Sequence, residues 1–326
     1  MSANNDYLDS WQFRGVIFSI VIAAIAYLGF SMWAGWKDVV SAFKLVGICG
    51  FLILLGLSLV NYTLRFGRWQ IYLSALKHKI ATKPSAIIYF SGFALTTTPG
   101  KAGELLRGVF LSKRGVPFTN STAAFISERL SDLFAITILA TLGVHIHKYG
   151  QFVIVAAVAL AICLLLLVFS NCLSQLQAKL ATRSTRITRF ISHFLTLLNN
   201  ARICHTPVIF FSATMLSLIA WTAEAYAFYL VLLWMDFNPS IEFAFSVYAL
   251  SMLAGALSFL PGGLGGTEVV MAALLIWAGM PETQAIAATV IIRLATLWFA
   301  VALGATVLML GQRTLRDKTT HINLNK

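Results

Sequence analysis

The chain has 326 residues, of which 59% are hydrophobic and only 11% are charged. Ordinary soluble domains have about 25% charged residues, so this composition excludes a soluble protein and predicts one polytopic membrane domain over residues 1–326. The net charge of +12 does not indicate nucleic-acid binding, because the basic residues are distributed among short loops between apolar stretches.

Six apolar stretches are long enough to cross a hydrocarbon core, which requires about 20 helical residues. They cover residues 15–35, 46–73, 119–144, 151–170, 206–235 and 284–310. Residues 174–202 contain apolar positions at helical spacing with basic residues between them, which predicts an interfacial basic helix. Residues 311–326 are predicted to form a short cytoplasmic tail.

Two further apolar segments are interrupted by proline and glycine. Residues 85–113 are broken at Pro99-Gly100, and residues 241–279 are broken by the run PGGLGG at 261–266. Neither half of either segment is long enough to cross a membrane alone. We therefore predict an all-α integral membrane protein with about six full crossings and two re-entrant hairpins.

The distribution of basic residues predicts the orientation of the chain. Six crossings place both termini on one side of the membrane. With the termini inside, the cytoplasmic loops contain nineteen Lys and Arg residues and the outer loops contain three. This bias predicts cytoplasmic termini in a bacterial inner membrane.

The two broken segments align with each other as an internal repeat. Five residues recur 164 positions later in the chain, and the pairs are Glu104 and Glu268, Gly115 and Gly279, Pro117 and Pro281, Arg129 and Arg293, and Leu130 and Leu294. The repeats are predicted to cover residues about 46–145 and 206–310. Because three crossings separate the hairpins, the repeats are inverted, which is typical of transporters.

The breaks supply the candidate substrate-binding residues. A half-helix that begins at membrane depth presents free N–H groups and a positive dipole to an anion. The candidates are Pro99, Gly100, Lys101, Glu104 and Arg107 in the first hairpin, and Pro261, Gly262, Gly263, Gly265, Gly266 and Glu268 in the second. Lys101 and Arg107 could clamp a phosphate. Alternatively, Glu104 neutralises them and Arg107 marks the cytoplasmic interface.

Ionisable residues at membrane depth require a partner or a function. The candidates for ion pairing or proton coupling are Glu128, Arg129, Asp132, Glu224 and Arg293. Glu128 and Asp132 could bind a proton or cation, or they could belong to a structural network. In such a network the repeat predicts a Glu104–Arg129 and a Glu268–Arg293 bridge.

Three other features lie outside these candidates. Glu224 is an isolated acid in its crossing, so it is either a protonation site or a hydrogen-bond partner of the unwound backbone of a hairpin. Arg65 and Arg68 are interpreted as interfacial anchors at a helix end. No metal site is predicted, because the four cysteines have no CxxC spacing and the histidines are scattered.

Three motifs resemble a known family. The runs TPGKAGELLR at 98–107, ERLSD at 128–132 and PGGLGGTE at 261–268 resemble the flippase-like transmembrane domain of lysylphosphatidylglycerol synthases and its stand-alone relatives. In the full synthases a soluble aminoacyl transferase domain follows this domain. The chain ends about fifteen residues after the last crossing, so we expect no lipid lysylation by this chain.

These observations lead to three functional hypotheses. The sequence has no GxSxG, HExxH or P-loop motif, so we expect neither a cofactor nor an enzyme. The first hypothesis is a lipid flippase that moves an anionic phospholipid or a lipid-linked substrate, a glycolipid or polyprenyl phosphate, between leaflets. The alternatives are an accessory membrane subunit of a glycosyltransferase or lipid-modifying enzyme, and a membrane-embedded acid/base enzyme. Membrane lipids are the expected partners, with a lipid-synthesising enzyme, a glycosyltransferase or a homodimer left open.

Overall fold

The computed structural model describes residues 36–97, 102–142, 201–258 and 260–311, together with isolated positions 29, 155, 158, 159, 162 and 315. The predicted crossings 15–35 and 151–170, and all but the last two residues of the predicted basic helix, therefore lie outside the described residues apart from those positions. Regular structure in the described part is entirely helical. The prediction of an all-α membrane protein is confirmed.

Nine α-helices are described, numbered here in chain order. They are α1 Trp36–Ala75, α2 Thr82–Ser91, α3 Ala102–Ser112, α4 Phe118–Thr141, α5 Pro207–Trp234, α6 Ile241–Leu257, α7 Gly266–Trp277, α8 Glu282–Arg293 and α9 Phe299–Leu310. A 3-10 helix, Gly92–Leu95, follows α2, and another, Pro261–Gly263, follows α6. A π-helical segment, Leu294–Trp298, joins α8 to α9 without a break.

Three described stretches are long and apolar enough to cross a membrane: Lys37–Ala75, Pro207–Trp234 and Glu282–Leu310. They include most of the predicted crossings 46–73, 206–235 and 284–310. Helix α4 has 24 residues and is about 36 Å long at a rise of 1.5 Å per residue. Its charged residues face other helices, as described below.

The interrupted segments have the short helices that the sequence predicts. Helix α3 has 11 residues and α6 has 17, which correspond to about 16 and 26 Å, less than a hydrocarbon core of about 30 Å. The two breaks meet inside the protein, because a Cβ at Gly262 would lie 3.5 Å from the Thr96 carbonyl oxygen and the Thr97 Cα.

Both hairpins end in the same turn. The N–H of Val116 donates to the Leu111 carbonyl, and the N–H of Met280 donates to the Leu275 carbonyl. Gly115 and Gly279 precede these donors with φ values of 79° and 96°, a conformation that glycine adopts without steric cost. The recurring Gly-x-Pro sequence therefore ends a helix with a left-handed glycine and begins the next helix after proline.

Helices α1 and α5 pack against each other in antiparallel directions. The Asn61 side-chain amide donates to the Ala220 carbonyl at 2.8 Å, and Arg68, further along α1, donates to Ser217, earlier in α5. At the other end of the pair, a Cβ at Gly50 would lie 3.0 Å from the Trp234 ring. The end of α1 therefore lies near the beginning of α5.

Small buried residues let the central helices approach closely. Ala225 of α5, Ala244 of α6 and Ala288 of α8 have no exposed surface and belong to one apolar core. Close backbone approach through small residues is the usual basis of helix association in membranes. This packing fixes the positions of the charged side chains between the helices.

Candidate functional site

Asp132 is the centre of a buried cluster of charges. Its Oδ1 accepts hydrogen bonds from Arg68 Nη1 at 2.6 Å and from Trp221 Nε1 at 3.0 Å. Its Oδ2 lies 3.2 Å from Arg65 Nη2 and 3.4 Å from Arg129 Nη2. One carboxylate therefore joins side chains from α1, α4 and α5.

Glu128 extends the cluster from the same face of α4, one helical turn before Asp132. Its Oε2 accepts a hydrogen bond from Arg107 Nη1 at 3.1 Å, and its Oε1 lies 3.7 Å from Arg68 Nη2. We call the set of Arg65, Arg68, Arg107, Glu128, Arg129 and Asp132 the Asp132 centre.

The helix periods explain why these residues meet. Arg65 and Arg68 are three positions apart on α1 and share one face. Glu128 and Asp132 are four positions apart on α4, so both carboxylates face Arg68. Asp132 also pairs with Arg65. The cluster therefore follows from two local spacings and the packing of α1 against α4.

The guanidinium group of Arg107 is enclosed by the protein. It lies 4.9 Å from the Trp69 ring centroid and 4.8 Å from that of Tyr89, and it also pairs with Glu128. The side chain is only 4% exposed. This geometry favours a structural role for Arg107, joining α3 to α1, α2 and α4, over a phosphate clamp with Lys101.

Several predicted residues of the first break cannot be placed. Pro99, Gly100 and Lys101 lie outside the described residues, and so does the side chain of Glu104. The predicted Glu104–Arg129 bridge therefore stays a prediction. The described contacts of Arg129 are with Asp132 and with the Phe125 ring, 5.2 Å from the guanidinium carbon to the ring centroid.

Exposure separates the arginines of the Asp132 centre into two kinds. The Arg68 side chain is completely buried, whereas the Arg65 side chain is 13% exposed and that of Arg129 is 33% exposed. Arg65 Nε, Arg68 Nε and Arg68 Nη2 have no hydrogen-bond partner in the part of the chain that the structure describes. The cluster thus has N–H donors at Arg65 and Arg68 without a described acceptor, and a partly exposed side formed by Arg65 and Arg129.

Glu268 and Arg293 form a second charged pair at the other break, which we call the Glu268 centre. Arg293 Nε donates to Glu268 Oε1 at 2.6 Å, and Arg293 Nη2 donates to the Gly262 carbonyl at 3.0 Å. Glu268 Oε2 accepts the N–H of Gly265 at 2.6 Å. The structure therefore brings together the two residues that the repeat pairs, and both hold the glycine loop.

The glycine loop is built around this pair. Pro261 begins its 3-10 helix, and Gly262, Gly263 and Gly265 have φ values of 63°, 68° and 85°, in the left-handed region that favours glycine. Gly266 begins α7, whose first turn is capped by Glu268. The N-terminus predicted to bind an anion is thus already occupied by a carboxylate of the protein.

Glu224 lies on α5, one helical turn after Trp221. It is 5% exposed, and its Oε2 accepts a hydrogen bond from the Tyr248 hydroxyl at 2.6 Å. Its charge interacts with Arg65 of the Asp132 centre and with Arg293 of the Glu268 centre. The hydrogen-bond partner is therefore a side chain of α6, not the hairpin backbone.

The sequence did not identify every member of the site. The interpretation of Arg65 and Arg68 as interfacial anchors was wrong, because Arg68 is buried and both side chains point to Asp132. The sequence signal that could have identified these arginines was the pair Glu128 and Asp132 in the next crossing, because two buried carboxylates need cationic partners. Trp221 and Tyr248 had no such signal, since aromatic residues are common in membrane helices.

Comparison with known proteins links this geometry to a family. The sequence matches the family described as the lysylphosphatidylglycerol synthase TM region over residues 16–304. The UPF0104 membrane protein PH1989 of Pyrococcus horikoshii is 22% identical over 91% of this chain and 97% of its own length. The UPF0104 membrane protein MJ1595 of Methanocaldococcus jannaschii is 21% identical over 93% and 95%. A UPF0104 membrane protein of Methanothermobacter thermautotrophicus is 37% identical over 90 residues, which cover 28% of this chain and 27% of the relative.

Proposed function

Because the chain belongs to the family of the lysylphosphatidylglycerol synthase transmembrane region, we propose that it binds lipids with an anionic headgroup at the Asp132 centre and moves them between leaflets. The family and the multi-pass membrane relatives support a membrane function that involves lipid. That the protein is a translocator in a bacterial inner membrane is our proposal.

The observation that carries the proposal is the partly exposed guanidinium group of Arg65 at the Asp132 centre. Its Nη2 lies 3.2 Å from Asp132 Oδ2, and the side chain is 13% exposed. A phosphate group can accept two parallel hydrogen bonds from one guanidinium group. An anion bound there would be a second acceptor for Arg65 beside Asp132.

The arrangement of the two breaks supports translocation over simple binding. Irregular backbone at membrane depth is stable only where it is buried in protein or lines a wet cavity. Here the break containing Gly262 contacts Thr96 and Thr97 at the other break, and each break lies near one charged centre. A polar interior with two related halves is the arrangement expected of alternating access.

The test is lipid movement in proteoliposomes that contain the purified protein. Labelled phosphatidylglycerol, a zwitterionic phospholipid and a polyprenyl phosphate are compared in separate vesicles. We expect faster movement of the anionic lipids than in protein-free vesicles. Arg65→Lys keeps the charge but loses the two-pronged donor, and we expect it to lower the rate by about tenfold or more.

The matched control is Arg202→Lys, which makes the same change at an exposed position. If no lipid moves faster than in protein-free vesicles, although the protein is folded, the proposal is wrong. A covalently changed lipid would indicate the membrane-embedded enzyme instead. Lipid movement that appears only with a co-purified glycosyltransferase or synthase would indicate the accessory subunit.

A further inference from the structure

Glu224 differs from the other buried carboxylates of the site. Glu128, Asp132 and Glu268 each have an arginine nitrogen within 4 Å. Among the described residues Glu224 has no such ion pair, and its hydrogen-bond partner is the neutral hydroxyl of Tyr248. A buried carboxylate without an adjacent cation is costly in a membrane, so its presence needs an explanation.

Opposing influences act on the charge of Glu224. Burial of a carboxyl disfavours its ionised form, whereas nearby positive charges and a hydrogen bond to the carboxylate favour it. Glu224 is 5% exposed and accepts a hydrogen bond from Tyr248 of α6. The other titratable groups that interact with it electrostatically are Arg65 and Tyr62 of α1, Asp132 of α4 and Arg293 of α8. A carboxyl in such a balance can change its protonation state when its surroundings change.

The repeat places opposite charges at two related positions. The turn that follows α1 recurs after α5, with a positive φ at Lys77 and at Asp236, 159 positions later. At this offset Glu224 corresponds to Arg65. Arg65 has an ion-pair partner in Asp132, whereas Glu224 has none among the described residues, so the carboxyl of Glu224 is a departure from the symmetry.

We propose that Glu224 is a proton-binding site through which the movement of an anionic lipid is coupled to a pH difference across the membrane. This inference rests on the proposed function. Protonation of Glu224 raises the net charge of the buried groups by one, and an anion of single charge then restores the earlier value. A proton and an anionic headgroup therefore bind together without changing the buried charge.

The coupling acts through Arg65, which interacts with both Glu224 and Asp132. When Glu224 is ionised, its carboxylate attracts Arg65 and competes with a phosphate for that guanidinium group. When a proton from the aqueous phase binds the carboxylate, this competition ends and Arg65 becomes available to the headgroup. Release of the lipid restores the competition and favours loss of the proton.

The experiment measures lipid movement and proton movement in the same proteoliposomes. Labelled phosphatidylglycerol reports translocation, and a trapped pH-sensitive dye reports protons. For the wild-type chain we expect a rate that changes by about tenfold per pH unit where one titrating group limits it. We also expect proton movement with the lipid and acceleration when a pH difference drives it.

Glu224→Gln replaces the carboxyl by a neutral group of the same shape. We expect this variant to move the lipid at a rate that no longer depends on pH, without proton movement. The matched control is Glu242→Gln, an exposed glutamate in the first turn of α6, which should keep the wild-type pH profile.

The possible outcomes separate the inference from the proposed function. Lipid translocation by the wild-type chain without pH dependence or proton movement would overturn the role of Glu224 and leave the translocator intact. An unchanged pH profile in Glu224→Gln would also overturn it. Absence of translocation by the folded wild-type chain would overturn the proposed function and, with it, this inference. Because the wild-type proton signal needs no variant, a misfolded variant does not prevent the test.

Discussion

Asp132 contacts three arginines, more than any other carboxylate in the described residues. Asp132→Asn keeps the shape of the side chain but removes the charge that compensates Arg65 and Arg68. Breaking buried ion pairs in this way costs about 3–5 kcal/mol, because the remaining charge stays buried. We therefore expect a clear fall in the unfolding midpoint of the detergent-solubilised protein.

The control for this prediction is Asp236→Asn. Asp236 is exposed after α5 and has a φ of 59°, which asparagine also tolerates. Equal stability of Asp132→Asn and Asp236→Asn would show that the arginines of the Asp132 centre do not depend on this carboxylate.

Arg293 is expected to hold the glycine loop through two separate nitrogens. Its Nε pairs with Glu268 while its Nη2 binds the carbonyl of Gly262. Arg293→Lys has one nitrogen and cannot make both contacts with the same geometry, so about 1.5–3 kcal/mol of local stability should be lost. Hydrogen exchange of residues 261–266 should become faster, whereas the exposed control Arg202→Lys should leave it unchanged. Unchanged exchange in Arg293→Lys would contradict this role.

Prediction from sequence succeeded for one set of charged residues and failed for another. Glu268 and Arg293 could be paired because the repeat relates them to a second copy in the chain. Arg65 and Arg68 lie near the end of a predicted crossing, where the sequence does not determine whether a long side chain extends to water or turns inward. That choice depends on Asp132, which is 64 positions after Arg68 in the chain.

At the scale of the elements, the contact between α9 and the first break is unusually close. A Cβ at Gly304 would lie 2.2 Å from the Ala94 backbone nitrogen and 2.6 Å from the Phe93 carbonyl carbon. Because these are backbone atoms, Gly304→Ala must move α9 away from the 3-10 helix Gly92–Leu95. Overpacking of this kind costs about 1–3 kcal/mol, so we expect a lower unfolding midpoint and slower lipid movement.

The chain offers a matched control for Gly304→Ala. Gly56 lies in α1, and a Cβ added there has no atom within 4 Å. Alanine is also a better helix former than glycine, by roughly 0.5–1 kcal/mol. Gly56→Ala should therefore be neutral or slightly stabilising. If both variants have the wild-type midpoint, the first break does not depend on close contact with α9.

Elements were predictable where local chemistry determines them. Proline and glycine located both breaks and the turns after them, because a Pro-Gly pair interrupts a helix and a glycine two residues before a proline ends one through local conformation alone. The π-helical segment Leu294–Trp298 had no such signal. Its Ala295 and Thr296 carbonyls accept hydrogen bonds from Ser58 and Tyr62 of α1, so its conformation depends on a distant partner.

At the scale of the whole molecule, the described contacts are arranged as an inverted repeat requires. The hydroxyl of Tyr62 donates to the Thr296 carbonyl, and at the related positions the indole N–H of Trp221 donates to Asp132. The repeat predicted from five residues thus relates contacts as well as sequence, with an offset of 159 positions between α1 and α5 and of 164 positions after the breaks. It could not predict the charges, because the Asp132 centre has four arginines and the Glu268 centre has one.

The antiparallel packing of α1 and α5 leads to a prediction about membrane sidedness. Residues 76–81 follow α1 and residues 235–240 follow α5, so these loops lie at opposite ends of the helix pair. The first loop contains Lys77 and Lys79, whereas the second contains Asp236 and no basic residue. The positive-inside rule places the first loop in the cytoplasm and the second outside.

Cysteine labelling tests this arrangement in a background without the four native cysteines. Lys79→Cys and Asn238→Cys place a thiol at exposed positions of the two loops. We expect an impermeant maleimide to label Lys79→Cys only in inside-out vesicles and Asn238→Cys only in right-side-out vesicles, while a permeant maleimide labels both in either. If both thiols react from the same side, α1 and α5 cannot both cross the membrane as an antiparallel pair. The two breaks would then have no inverted relation, and alternating access would lose its structural basis.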